Sequence, residues 1–101
     1  MKIYETYGTL LEITQAKEKV MYLCSLKFEE RESSYHGVYY VSGDKYNGES
    51  YQIVNNIDLL DNEKLEDIEF PVILYINNIT SNKNQMIKES RDFVLISREV
   101  V

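Results

Sequence analysis

Phe70-Pro71-Val72-Ile73-Leu74-Tyr75-Ile76 is an unbroken apolar run of strand length. A strand with one wet face alternates apolar and polar side chains, so a continuous run marks a central strand buried on both faces. Pro71 stands at its start, where a missing amide hydrogen is tolerated. The rest of the chain is expected to build a sheet around this segment.

Working outward, Tyr51 to Asn55 reads as a strand with Tyr51 and Ile53 on one side and Val54 on the other. Before it, Tyr35 to Val41 is a β-branched and aromatic strand ended by Ser42-Gly43-Asp44. Tyr39 and Tyr40 fall on opposite faces of it. Between the two, Lys45-Tyr46-Asn47-Gly48-Glu49 carries an Asn-Gly pair suited to the positive φ angles of a tight hairpin turn. Val20, Tyr22, Cys24, Leu26 and Phe28 alternate with Met21, Leu23, Ser25, Lys27 and Glu29, which predicts a strand over 20–28 with Cys24 on its core face. Residues 2–13, with Ile3, Tyr7, Leu10, Leu11 and Ile13, predict a half-buried strand. Thr14 to Glu18 is read as a turn and Glu29 to Ser34 as a polar connection. The stretch from Asn56 to Glu69 breaks the β pattern, and Asp61 is a candidate cap for a short helix there. Asn77 to Gln85 reads as loop, Met86 to Glu89 suits helix or loop, and Phe93 to Ile96 opens a last strand.

No repeat, low-complexity tract or Pro/Gly/Ser linker divides the chain, so its 101 residues are expected to form a single domain, 1–101. The fold class is mostly β: a small antiparallel barrel or curved sheet of about six strands with one or two short helices. The competing plan is ferredoxin-like α+β, which needs two helices of about ten or more residues.

The cysteine count bounds the compartment, because Cys24 is alone and no internal disulfide can form. Met1-Lys2-Ile3-Tyr4-Glu5-Thr6 has no apolar core of a secretory signal, and no apolar run approaches the roughly 20 residues of a membrane span. A cytoplasmic protein without a membrane partner is expected. Asn78-Ile79-Thr80 matches a glycosylation acceptor but lacks a route to the secretory pathway.

Catalytic chemistry finds little to work with. His36 is the only histidine, so histidine acid–base chemistry would have to pass through it, with Tyr35, Tyr39, Tyr40, Glu30 and Glu32 nearby in sequence. Placed between Tyr35 and Gly37 at the start of a strand, it reads as a structural residue. Zinc sites want several Cys or His ligands, and the carboxylates at 58–69 lack the alternate spacing and central glycine of a calcium loop. No phosphate-cradling glycine motif or nucleophile elbow is present. Neither catalytic residues, nor a metal, nor a cofactor is expected, and the chain reads as a binding protein rather than an enzyme.

Charge carries the strongest functional signal. Eleven basic and seventeen acidic residues give a net charge of −6, which repels phosphate backbones and argues against duplex nucleic acid as a partner. The imbalance is local: residues 58–69 hold one basic and six acidic groups, net −5, whereas residues 1–57 are net −2 and residues 70–101 net +1. Asp58, Asp61, Glu63, Glu66, Asp67 and Glu69 are therefore candidate contacts for an electropositive protein, with Leu59, Leu60, Leu65 and Ile68 interleaved as anchors or as ties to the core. Nine tyrosines supply a second candidate surface, Tyr39, Tyr46 and Tyr51, since exposed tyrosine suits binding hot spots. This compact, acidic, tyrosine-rich profile resembles that of small proteins that neutralise basic enzymes, such as toxin-immunity proteins and phage-encoded inhibitors of nucleases or host defence. The likeness is one of composition and transfers no site residue. The expected function is an inhibitor or immunity-type protein binding a basic nuclease, toxin or defence protein. The alternatives are an OB-like or barrel module holding a single strand or small ligand on exposed tyrosines, and an oligomeric assembly protein.

Overall fold

The computed structural model describes residues 1–43 and 48–101. Among these, eight elements follow one another: β1 (Ile3–Thr9), α1 (Ile13–Cys24), β2 (Glu29–Ser33), β3 (Gly37–Ser42), β4 (Ser50–Asn55), β5 (Val72–Asn77), α2 (Asn84–Glu89) and β6 (Val94–Val100). The six strands form one antiparallel sheet in the order β2-β3-β4-β5-β1-β6. The mostly β expectation holds in its curved-sheet form, because β2 and β6 are free edges and no barrel closes. The run opened by Phe70 becomes β5, third from the β6 edge and fourth from the β2 edge, with Val72, Ile73, Leu74 and Ile76 all buried.

The path of the chain is that of the competing plan. Since β5 is antiparallel to both β1 and β4, β1 and β4 run parallel with β5 between them, joined through α1. By the same logic β5 and β6 run parallel around β1, joined through α2. Two interlocked split β-α-β units are the ferredoxin-like arrangement, here extended by the β2–β3 hairpin beyond β4. It is completed with a second helix of only six residues.

One strand expectation is overturned. Residues 20–28 are not a strand, because Val20 to Cys24 ends the twelve-residue helix α1, which also takes in the expected turn at 14–18. Ala16, Val20 and Cys24 recur every four residues and are its buried residues, while Tyr22, which the alternation placed inside, is 82% exposed. The helix-favouring run Gln15-Ala16-Lys17-Glu18-Lys19 and the 3.6-residue period prevail over an alternation that lasts only a few residues. Ser25 stops the helix in the left-handed region, φ 54°. Conversely Glu29–Ser33, expected as a connection, is the edge strand β2. Four charged residues of its five discourage pairing with another chain. At the opposite edge, β6 carries a bulge where its register to β1 shifts between Thr6 and Tyr7.

The two faces of the sheet are covered differently. On one, Tyr7, Tyr40, Tyr51, Ile53, Leu74 and Ile76 pack with Ala16, Val20 and Cys24 of α1, Ile87 of α2 and Phe93. Glu5 is buried on this face too: its Oε1 accepts hydrogen bonds from Tyr7 Oη (2.7 Å) and Asn84 Nδ2 (3.0 Å), and its Oε2 lies 3.4 Å from Arg98 Nε. On the other face, Val54 and Ile73 are covered by no helix, and the segment between β4 and β5 folds back instead. Phe70 lies so close over Gly8 that a Cβ there would collide with its ring, so only glycine fits.

Asn56 holds that segment down. It is 8% exposed, and its Nδ2 donates to the carbonyls of Glu66 (3.1 Å), Ile68 (3.3 Å) and Phe70 (3.0 Å), while its Oδ1 accepts from Glu66 N (2.9 Å). The expected helix at Asp61 is absent. Asp58 and Asp61 each accept a hydrogen bond from the amide two residues on, Leu60 N (2.9 Å) and Glu63 N (3.0 Å), and such local bonds favour turns over helix. Replacing Asn56 with alanine leaves a partly buried amide and carbonyls without partners. The Asn56→Ala protein is expected to lose about 2–4 kcal/mol in urea unfolding and to be cleaved within 57–70 by protease under native conditions; an unchanged midpoint and cleavage pattern would contradict the anchor.

Candidate functional site

The titratable groups of the core are spent on structure. Cys24 donates its thiol hydrogen to Lys83 O at 3.5 Å, and burial, opposed by Lys83, pushes the thiol up to about 11. Glu49 accepts from Thr80 N (2.8 Å), Ser81 N (2.9 Å), Ser81 Oγ (2.8 Å) and Tyr51 Oη (3.0 Å). Burial works to raise its pKa, but these four bonds outweigh it and leave the carboxyl below its ordinary range. Among the described residues no three His, Cys, Asp or Glu side chains gather as metal ligands.

His36 sits in the β2–β3 turn, its amide donating to Ser33 Oγ at 3.0 Å. Its ring lies edge-on to Tyr35 and Tyr39, with centroids 4.8 and 5.1 Å away. Burial lowers its pKa, with Asp58 pulling the other way, and Nδ1 is enclosed with no hydrogen-bond partner among the described residues. Glu30 and Tyr40, neighbours of His36 in sequence, turn to the helix face, where Tyr40 Oη donates to Glu30 at 3.5 Å and Lys17 lies over the ring. Among the described residues no acid–base cluster forms around His36.

The acidic segment lies against the helix-free face. Its tip is a tight turn: Asp58 N donates to Glu63 O (2.7 Å), Asn62 N donates to Asp58 O (2.7 Å), and Asn62 adopts φ 61°. Leu59 N donates to Tyr35 O (2.8 Å), tying the turn to the β2–β3 hairpin. Asp61, Glu63, Asp67 and Glu69 are exposed, and Asp58 and Glu66 are half-buried. Glu69 is paired with Lys64 at 3.3 Å, the single basic residue of the segment. Leu59 and Leu60, 51% and 70% exposed, stand among these carboxylates rather than in the core.

The tyrosines expected beside the acids separate. Tyr39 is half-buried on the helix-free face near His36. Tyr51 is corrected from an exposed contact to a core residue: it pairs with Ile76 and is 2% exposed on the helix face. Tyr46, with most of the Asn47-Gly48 turn, lies outside the described residues. Two other tyrosines take their place. Register puts Val41, Gln52, Tyr75, Thr6 and Ser97 in one row across the helix-free face, since Val41 pairs with Gln52, Gln52 with Tyr75, Tyr75 with Thr6 and Thr6 with Ser97. Tyr4, opposite Glu99, lies on the same face diagonal to Tyr75. Glu66 of the segment comes close enough to Tyr75 to add to the effect of burial, which together push its hydroxyl up to about 12. Acidity was legible in composition, but Tyr4 and Tyr75 become neighbours only through the β1–β5 register.

A shallow depression of about 150 Å³ lies at the far end of the segment, lined by Thr9, Leu10, Leu11, Phe70, Arg91, Asp92 and Val94. It is smaller than the roughly 300–1,000 Å³ of most small-molecule sites.

Two outcomes test these environments. Cys24 is expected to resist a thiol reagent at pH 8 in the folded protein and to react once urea unfolds it; rapid labelling of native protein would contradict its burial. Because the folded pKa of His36 lies below its ordinary value, protonation favours the unfolded chain. Its contribution to stability is complete above about pH 6.5 and is lost as pH falls toward the folded pKa. The stability gap between the parent and His36→Phe should therefore shift in favour of the variant between pH 7.5 and 5, and a constant gap would show that the ring is not desolvated.

Compared with models of known protein families and with curated proteins, the chain matches none.

Proposed function

We propose that this protein binds a basic protein partner and neutralises it, as an inhibitor or immunity-type protein acting in the cytoplasm, and that it binds rather than catalyses. The observation that supports the reading is the anchored acidic segment: a net charge of −5 over residues 58–69, tied by Asn56 and Leu59 to one face of the sheet. Held carboxylates create a local field that speeds encounter with a cationic surface, and a preformed segment loses little conformational entropy on docking. None of the helices among the described residues is long and apolar enough to cross a membrane. The partner-facing residues are Asp61, Glu63, Glu66 and Asp67, with Asp58, Glu69 and Tyr39 alongside.

The test uses the protein and a variant carrying Asp61→Asn, Glu63→Gln, Glu66→Gln and Asp67→Asn, both presented to lysate of the native source and eluted with a salt gradient. The parent is expected to retain a stoichiometric basic protein. With that protein purified, the variant is expected to associate about tenfold or more slowly at low salt, with a flatter salt dependence. Equal association rates would defeat the reading, as would retention of nothing but the chain itself.

A further inference from the structure

The helix-free face divides into two halves. The segment 57–70 covers the half made by Val54, Ile73 and Gly8. On the other half Tyr4, Thr6, Val41, Gln52, Tyr75 and Asn77 are each partly exposed, with Ser50 buried beside Asn77. This floor is uncharged and carries two aromatic rings together with amide and hydroxyl groups. Carboxylates stand around it: Glu99 opposite Tyr4, Glu29 opposite Val41, and Glu66 of the segment, whose backbone is held by Asn56 and whose field reaches Tyr75. On this face Arg31 lies 3.4 Å from Glu29, and Lys2, two residues before Tyr4, is exposed at the end of β1. A surface with rings in the floor and acids at the rim suits a cation that can stack and hydrogen-bond at once. A guanidinium does both, because its plane lies flat on tyrosine while its edge forks onto a carboxylate; an ammonium is a hydrated point charge that gains less from the rings.

We propose that the open half of the helix-free sheet face is the seat for arginine side chains of the basic partner, laid across Tyr4 and Tyr75 and held by Glu66 and Glu99. This rests on the proposed function and specifies where and by which side chain the partner is gripped.

The experiment titrates the full-length ¹⁵N-labelled protein at low salt with acetylated, amidated tetra-arginine and, separately, with tetralysine and a ten-residue thymidine oligonucleotide. Tetra-arginine is expected to shift the amides of residues 4–6, 52 and 75 and to bind about fivefold more tightly than tetralysine. Tyr4→Thr/Tyr75→Thr should remove that preference, and Gln52→Lys, which adds a repelling charge to a partly exposed strand position, should weaken tetra-arginine binding even if the double variant folds poorly. Shifts confined to residues 58–69, with both peptides bound equally, would overturn the seat while leaving the acidic-segment reading intact. Shifts of the face by the oligonucleotide alone would overturn both in favour of single-strand binding, and no shift with any probe would overturn both outright.

Discussion

Everything in this fold depends on the burial of β5, which is complete toward the helices and holds at Ile73 on the other face. A strand of Val72, Ile73, Leu74 and Ile76 has no side fit for water, so the chain must supply two covers for it. The helices supply one, through Val20, Cys24 and Ile87. For the other the described residues form no third helix, and the chain uses the polar, acid-rich connection that leads into β5 itself. Such a connection buries little apolar surface of its own beyond Phe70 and the partly buried Leu65 and Ile68, so hydrogen bonds must hold it. Asn56 meets that need because a neutral amide has two hydrogens and one oxygen, and here they meet three carbonyls and one amide within a single turn of chain. The result places the densest negative charge of the molecule on a chosen face instead of leaving it in a loose loop.

Two carboxylates, Glu5 buried and Glu49 half-buried, perform a similar task on the helix side. Glu5 draws hydrogen bonds from Tyr7 and Asn84 and an ion pair from Arg98, joining β1, α2 and β6 at one point. Glu49 binds the loop that precedes α2 through Thr80 and Ser81. A six-residue helix has little stability of its own. Its position is set by these charge-assisted bonds at its start and by Ile87 in the core, which explains how a split β-α-β unit closes around so short a helix.

The parts of this structure that were legible in the sequence are those whose pattern is set by their own residues. The run 72–76 needs no partner to be recognised, and Tyr51 to Asn55 and Gly37 to Ser42 carry β-branched and aromatic residues that few other elements tolerate. Residues 20–24 satisfy an alternating and a helical pattern at once. The two differ only in whether Tyr22 or Ala16 faces inward, and that is decided by what α1 packs against. β2 was illegible because its ladder partner, not its own side chains, makes Glu29-Glu30-Arg31-Glu32-Ser33 a strand. The acidic character of 58–69 could be counted directly, but the hold on it could not, since the acceptors at 66, 68 and 70 are backbone carbonyls and leave no mark in composition.

A neutral anchor has an electrical consequence that a charged one would not. Had the segment been pinned by lysine or arginine, each tie would have cancelled a carboxylate and weakened the field it presents. Among the described residues only Lys64 does so, and it pairs with Glu69 at the end of the segment. Asp61, Glu63 and Asp67 face water at positions set by the anchored segment, where repulsion between neighbouring carboxylates raises the cost of holding them together and would favour their release if the amide anchor were weaker. Docking of a cationic surface relieves that repulsion while leaving every bond of Asn56 in place. The anchor and the charge thus have different tasks: one governs where the segment sits, the other how strongly a basic partner is drawn to it.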